Sequence, residues 1–409
     1  MPYSYVFNDV VVSSDELSEK ISLGALAAYE QALQSDPTAT LEFRGGVVSP
    51  AAVLAGADPL PFEPIGIGRP LSVEILGYYT GDLPLLLGLV PWFGIKKPGM
   101  LVSSAVKAIE DYDAQARAVN QIVNEVDNRQ YLQPSAGNEG SPIVYYSAAL
   151  VPDTTFVDLN LSIDRFDEEV FSFLASLLKS AAGLPLFFVP GPGGAVASTT
   201  LLAASVVVDK AGELGKVLFN SKTFLSDSIP LRFDTPGFFA FESQTIWATN
   251  TKNNSGELDG YKPKLVNGGT PQQHMVMCNA AGQKYEGPAP YIILNLDGRE
   301  RPNLAGFKAR AATSAILEKF VGSPDAGTQA VAILEEAMGL LNDATFREKA
   351  LATQTQLNAV NRQIKKMKDD KEDPTGDPFT KKVAEQTALQ ARLQAFNGNI
   401  RQELFQLNV

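Results

Sequence analysis

The chain has 409 residues, 45% of them apolar and 20% charged, which is the balance of an ordinary globular protein. Its one Cys excludes an internal disulfide and any multi-cysteine zinc or iron–sulfur site, and its one His excludes every site that needs two imidazoles. The net charge of -12 argues against a nucleic-acid binder that relies on bulk charge.

At about 150 residues per domain, the length suggests two or three domains. The N-terminus, MPYSYVFNDVVVSSDE, has no basic start and no long apolar core, so it does not read as a signal peptide. Ser14 to Leu33 reads as a helix with Ser14 as its cap. Thr38–Phe43 and Leu71–Tyr79 read as strands, joined across the proline-rich loop Asp58–Pro70. Leu83–Ile95 is apolar but too short to span a bilayer as a helix. From Met100 to Arg129, Val102, Val106, Ile109, Ala116, Val119, Val123 and Val126 recur at steps of three and four or their multiples, which predicts a long helix. The polar run Gln133–Pro142 then suggests a boundary between an N-terminal region, 1–133, and a middle domain, 142–302.

The middle domain is dominated by strand signals. They fall at Ile143–Leu150, Thr155–Ile163, Leu184–Val189, Thr199–Val208, Lys216–Asn220, Ser228–Phe233, Ser243–Thr249 and Tyr291–Leu296. One helix, capped by Asp167, interrupts them. Leu184–Val208 carries no charge, but Pro190 to Gly194 forces a turn, so the run reads as two buried strands and not a membrane span. Asn250–Gly269 reads as a long exposed hairpin or loop.

After Pro302 the pattern turns helical. Asn303–Val321 and Ala326–Leu341 are Ala-rich and amphipathic. Thr345–Lys368 and Phe379–Leu407 carry heptad-like apolar series on either side of DDKEDPTGDP, which predicts an antiparallel helical hairpin, 303–409 being the third region. From Asp343 onward there are 11 Lys/Arg against 9 Asp/Glu, and before it 23 against 37, so the acidic surface lies on the body and the hairpin is near neutral. The fold class is α+β: a mixed N-terminal region, a β-sandwich-like centre with an inserted helix, and a C-terminal helical hairpin.

No motif marks a catalytic, cofactor or metal residue. His274 and Cys278 fall in a strand-like run that would hold them about 13 Å apart, too far for a nucleophilic dyad; as a helix the pair would meet, but no Asn or Asp orienter is marked. Gly191-Pro192-Gly193-Gly194 lacks the Lys that a phosphate loop needs. Asp153, Asp158, Asp164 and Asp167 cluster around one strand, and Asp164 with Asp167 and Asp234 could share a calcium ion; helix capping and turn solvation explain them as well. Asn160-Leu161-Ser162 and Asn253-Asn254-Ser255 match the glycosylation pattern, which is common by chance. Lys365, Lys366 and Lys368 suit a helix C-terminus. Trp92, Phe93, Phe238 and Phe239 beside Pro/Gly turns either plug a core or contact a partner. Leu357 and Leu393 are inward positions of the hairpin and candidate partner contacts, on the body or on another subunit. The expected role is non-enzymatic: a cytoplasmic structural or protein-interaction protein in an assembly, partnered by its own copies or another protein, not by nucleic acid or membrane. A hydrolase with a carboxylate- or Ser-based site built from distant loops is the first alternative, and a β-sandwich module for calcium or a small ligand is the second.

Overall fold

The computed structural model describes residues 3–8, 10–49, 63–84, 97–108, 116–135, 140–151, 154–166, 168–181, 184–190, 199–203, 206–210, 222–233, 235, 237–238, 244–249, 257–267, 273–304, 307, 328–370, 373–374, 376–401 and 406–407. It is an α+β fold: two seven-stranded antiparallel sheets form a sandwich, and a helical pair closes the C-terminal end.

The first sheet draws on both ends of the body. It contains β1 (Tyr3–Phe7), β2 (Val10–Ser13), β5 (Leu71–Tyr79), β8 (Tyr131–Leu132), β9 (Ile143–Ser147), β15 (Gln244–Thr249) and β18 (Tyr291–Asp297), in the order β2-β1-β15-β18-β5-β8, with β9 also on β5. The second contains β6 (Gly99–Ala108), β7 (Ala116–Val123), β10 (Thr154–Asp164), β11 (Leu186–Pro190), β12 (Thr199–Ala203), β13 (Val206–Lys210) and β14 (Lys222–Arg232), in the order β13-β12-β11-β7-β6-β10-β14. The polar run Gln133–Pro142 is not a boundary between the sheets, because strands from before and after it share both.

The helix expected over Met100–Arg129 is instead β6 and β7, which pair from Met100↔Val123 to Val106↔Ala116. The valines recur at helical steps, but they are β-branched and fit a pleated surface better. β6 also pairs with β10 along ten positions, from Thr155↔Ala108 to Asp164↔Gly99, so its backbone is satisfied on both sides. The register of β6 and β7 shifts between Val102 and Ser103, leaving Asn120 as the extra residue of a bulge. Asn120 is fully buried and donates to the carbonyls of Ser141 (3.3 Å) and Ile143 (2.9 Å), while Ser104 Oγ donates to its Oδ1 at 2.6 Å. Beside it Gln121 Oε1 accepts from Tyr78 OH at 2.8 Å. The bulge thus aims two successive polar side chains of the second sheet at the first.

Elsewhere the inner faces of β10 and β14 are mostly apolar. Val157, Leu159, Leu161 and Ile163 of β10 and Leu225, Ile229 and Leu231 of β14 are fully buried. The uncharged run is three strands, not two: β12 and β13 pair with Ala203 opposite Val206, so the expected strand Thr199–Val208 folds back on itself. The N-terminal helix is also two, α1 (Ser14–Ser22) and α2 (Ala25–Ser35). Gly24 between them has φ 69, a left-handed conformation that ends α1. Ser13, not Ser14, caps α1 by accepting the Glu16 N–H at 3.2 Å.

The inserted helix α3 (Glu168–Ser180) packs on β7 and β12. The segment expected as an exposed hairpin or loop contains β16 (Lys262–Asn267), which forms a hairpin with β17 (Gln273–Cys278). Their hairpin lies on β5, where a Cβ at Gly77 would fall 2.7 Å from the Met275 carbonyl oxygen. Tyr79, Tyr131, Tyr285 and Tyr291 fill the layer beneath it, with Tyr79 to Tyr131 centroids 4.8 Å apart.

The C-terminal hairpin consists of α4 (Thr328–Asp369) and α5 (Asp377–Gly398). α4 absorbs the separate helix expected at Ala326–Leu341, because no Gly or Pro lies between Leu341 and Thr345. α5 starts with Pro in its first turn and stops at Gly398, short of the expected Leu407. The helices run antiparallel: Phe346 meets Phe396 with centroids 6.3 Å apart, and Gln386 Nε2 donates to Asn361 Oδ1 at 2.7 Å. Phe346, Leu357, Val360, Ile364, Leu389, Leu393 and Phe396 bury one seam, which Ala149 and Val151 of the body close.

Two stability measurements check these packings. Asn120→Leu should cost about 3 kcal/mol or more in urea unfolding, because Ser104 and two carbonyls lose buried partners; a variant within about 0.5 kcal/mol of wild type would show that the bulge is dispensable. Leu393→Ala should cost about 2–5 kcal/mol, while Leu351→Ala, on the exposed side of α4, should cost less than about 0.5.

Candidate functional site

The residues named from sequence are brought to different places. Phe238 is buried against Tyr5, Phe7 and Phe233 and plugs the core, so it is not a partner contact. Leu357 and Leu393 are spent on the hairpin seam, so they too are not surface contacts. Trp92, Phe93, Phe239, Asp153, Asp167, Asp234, the Gly191–Gly194 loop, the Asn253 motif and the strand expected at Lys216–Asn220 lie outside the described residues. Nearly all of the helix expected at Asn303–Val321 lies outside them as well. His274 and Cys278 lie four positions apart on β17, which separates them by about 13 Å. Cys278 is buried and burial raises its thiol pKa, which opposes thiolate formation. Asp158 and Asp164 lie six positions apart on β10, about 20 Å, and do not share an ion. Among the described residues no group of three or more His, Cys, Asp or Glu is placed to hold a metal.

Among the described residues, two groups of ionisable side chains are buried or recessed enough to be considered. The first lies at the end of β18. Asp297 is fully buried, accepts from the Glu63 and Arg299 N–H groups at 3.0 and 3.2 Å, and pairs with the Arg299 side chain. Beside it Glu74 on β5 pairs with Arg301, whose own N–H donates to Tyr146 OH at 3.0 Å. Burial raises the Glu74 pKa and the Arg301 charge offsets part of that rise. This cluster ties the chain after β18 to the first sheet through backbone hydrogen bonds and arginine ion pairs, as in a structural anchor.

The second cluster lines an open trough on the second sheet, with a cavity of about 580 Å³. Strand alternation builds its floor. Asp158, Asn160 and Ser162 alternate with the buried apolar residues of β10 and therefore share its other face. The register then sets a row across five strands: Phe188 (β11), Arg117 (β7), Ala105 (β6), Asp158 (β10) and Ser228 (β14). A second row holds Ser103, Asn160 and Ser226, and a third joins Ser162 to Thr223 through a 3.0 Å hydroxyl contact. Ala105, with one methyl, leaves space in the row between Arg117 and Asp158.

Asp227 stands between Ser226 and Ser228 on the edge strand and opposite Leu159, so its side chain turns to the other face of the sheet. Its Oδ1 accepts the Ser228 N–H at 2.9 Å, and its Oδ2 is buried without a hydrogen-bond partner among the described residues. Burial first, and the neighbouring Asp158 charge, push its pKa up to about 6, against the pull of the Ser228 N–H. Sequence reasoning placed Asp158 on a strand but missed the trough face. The spacing Asp158-x-Asn160-x-Ser162 was a signal for it; the partners on β6, β7 and β14 were not. No protein-family model, no curated protein and no solved structure matches the chain.

The Asp227 pKa has a consequence for stability. The folded chain holds this proton more tightly than the unfolded chain, whose Asp titrates near 3.9. Stability from this group is therefore intact below about pH 4 and declines as the pH rises to about 6. After allowance for solvent screening the decline is about 1 kcal/mol. Asp227→Asn should match wild type at acid pH and exceed it by about that amount at pH 7. An equal difference at both pH values would show an ordinary carboxylate.

Proposed function

We propose that the protein is a non-enzymatic structural or interaction protein that works in an assembly of its own copies. The observation that carries this reading is the length of α4. Its 42 residues extend about 63 Å, against about 33 Å for the 22 residues of α5. Phe396, near the end of α5, sits beside Phe346, and Arg401 beside Asp343, so α4 before Asp343 runs past its partner. The overrun, Thr328–Asn342, is mostly apolar in sequence, and β13 is an element of the body that touches α4. Leu340 and Leu351 are exposed, and eleven residues place them three turns apart on the same side.

A near-neutral arm approaches the acidic body of another copy without strong repulsion, which favours self-association over capture by a basic partner. A cytoplasmic location belongs to the same reading and draws on the single buried free thiol. Among the described residues no helix is long and apolar enough to cross a membrane.

Light scattering on the full chain should give a discrete multiple of the 43.9 kDa chain mass. Leu340→Lys with Leu351→Lys should return the mass to one chain, with a melting temperature within a few degrees of wild type. A wild-type monomer at high micromolar concentration overturns self-association. A monomer that captures a different protein through these two leucines would keep the interaction role and replace the partner.

A further inference from the structure

We infer that the trough on the second sheet is a binding site for a neutral polyhydroxylated ligand, a mono- or disaccharide, held by Asn160, Ser103 and Ser226 with Asp158 and Arg117 beside them. This goes beyond the assembly role and rests on different residues. The cavity of about 580 Å³ falls within the roughly 300–1,000 Å³ of small-molecule sites. Its floor is recessed: Ala105, Ser162 and Phe188 are each only 6% exposed.

The lining selects the chemistry of the ligand. Hydroxyl and amide side chains both donate and accept, and adjacent strands space them about 4.8 Å apart. Among the described residues Ser103, Asn160 and Ser226 have no side-chain hydrogen bond, so the middle row offers its groups to solvent or ligand. A sugar hydroxyl, also donor and acceptor, can satisfy such a row. An anion such as phosphate needs several donors and would find one arginine, Arg117, in the same row as the Asp158 carboxyl. A divalent cation needs several anionic ligands, and no such group is assembled among the described residues. An apolar ligand would find only Ala105 and Phe188.

The test uses the full chain with glucose, galactose, mannose, N-acetylglucosamine, lactose and cellobiose, followed by saturation-transfer NMR and calorimetry. Calcium chloride and inorganic phosphate serve as competitors. At least one sugar should bind saturably and resist both competitors. Asn160→Leu should weaken it about tenfold or more, because a site built for hydrogen bonding would lose its central pair. Ser226→Val, on the edge strand, repeats the test with less risk to folding; melting curves identify a misfolded variant, and this second variant then decides. Methyl glycosides distinguish the source: equal binding of the glycoside points to a glycan attached through its anomeric carbon, and loss of binding points to a free sugar. No saturable binding by any sugar overturns the inference. So does sugar binding that folded variants leave unchanged, or phosphate or calcium binding that Asn160→Leu abolishes in place of the sugars.

Discussion

The two sheets are held in register by a polar contact in an apolar core. Asn120 is buried, carries three hydrogen bonds and exists as a bulge only because β7 has one more residue than its partner. Two of those bonds reach the chain at Ser141 and Ile143, so the start of β9 is fixed relative to the second sheet. Hydrophobic burial would accept many alignments of two flat apolar faces. An amide whose donors and acceptor must all be met accepts few, since an unmet partner costs about 1–3 kcal/mol. The alignment of β5 and β7, and everything mounted on those strands, follows from this constraint.

The outward faces of the sheets are finished differently. The first sheet is covered by the β16–β17 hairpin, with a layer of tyrosines between them. Tyr285 shows how the layer meets its polar needs: its hydroxyl donates to Glu257 at 2.7 Å and accepts the Ala289 N–H at 3.0 Å. The second sheet is left polar along β10 and β14. Its edge strand β14 carries Lys222, Asp227, Pro230 and Arg232, charges and a proline that discourage pairing with another strand. Tyr5 OH also donates to the Pro230 carbonyl at 2.7 Å. The face is therefore suited to a small polar ligand and poorly suited to an added strand. The helical pair belongs to a separate part of the chain and packs on Ala149 and Val151 of the body.

Local signals were read well where one face of an element is buried and its ends carry breakers. Leu71–Tyr79, Tyr291–Leu296 and Ser243–Thr249 match β5, β18 and β15 to within a residue, and the Pro/Gly break before Phe379 marks the start of α5. Reading failed where one pattern fitted two periods. The valines of Met100–Val123 satisfy a helical step, yet strand pairing on both sides of β6 decides the outcome. The trough was half legible: alternation on β10 marks Asp158, Asn160 and Ser162 as one face, but nothing local says that Ser103, Arg117 and Ser226 lie beside them.

Composition and local pattern alone settle the chemistry this chain lacks and the existence of its hairpin. One imidazole and one thiol limit the available catalysis whatever the fold, and an amphipathic pair of helices around a Pro/Gly break can form from neighbouring residues. The tertiary structure alone decides that strands near residues 5 and 75 pair with strands near 246 and 293, and that the second sheet gathers its polar rows from four separate segments. The physical reason is that a strand's hydrogen bonds and neighbours are supplied by distant chain. A helix closes its own ladder within four residues, whereas a strand is complete only when its partners have been chosen.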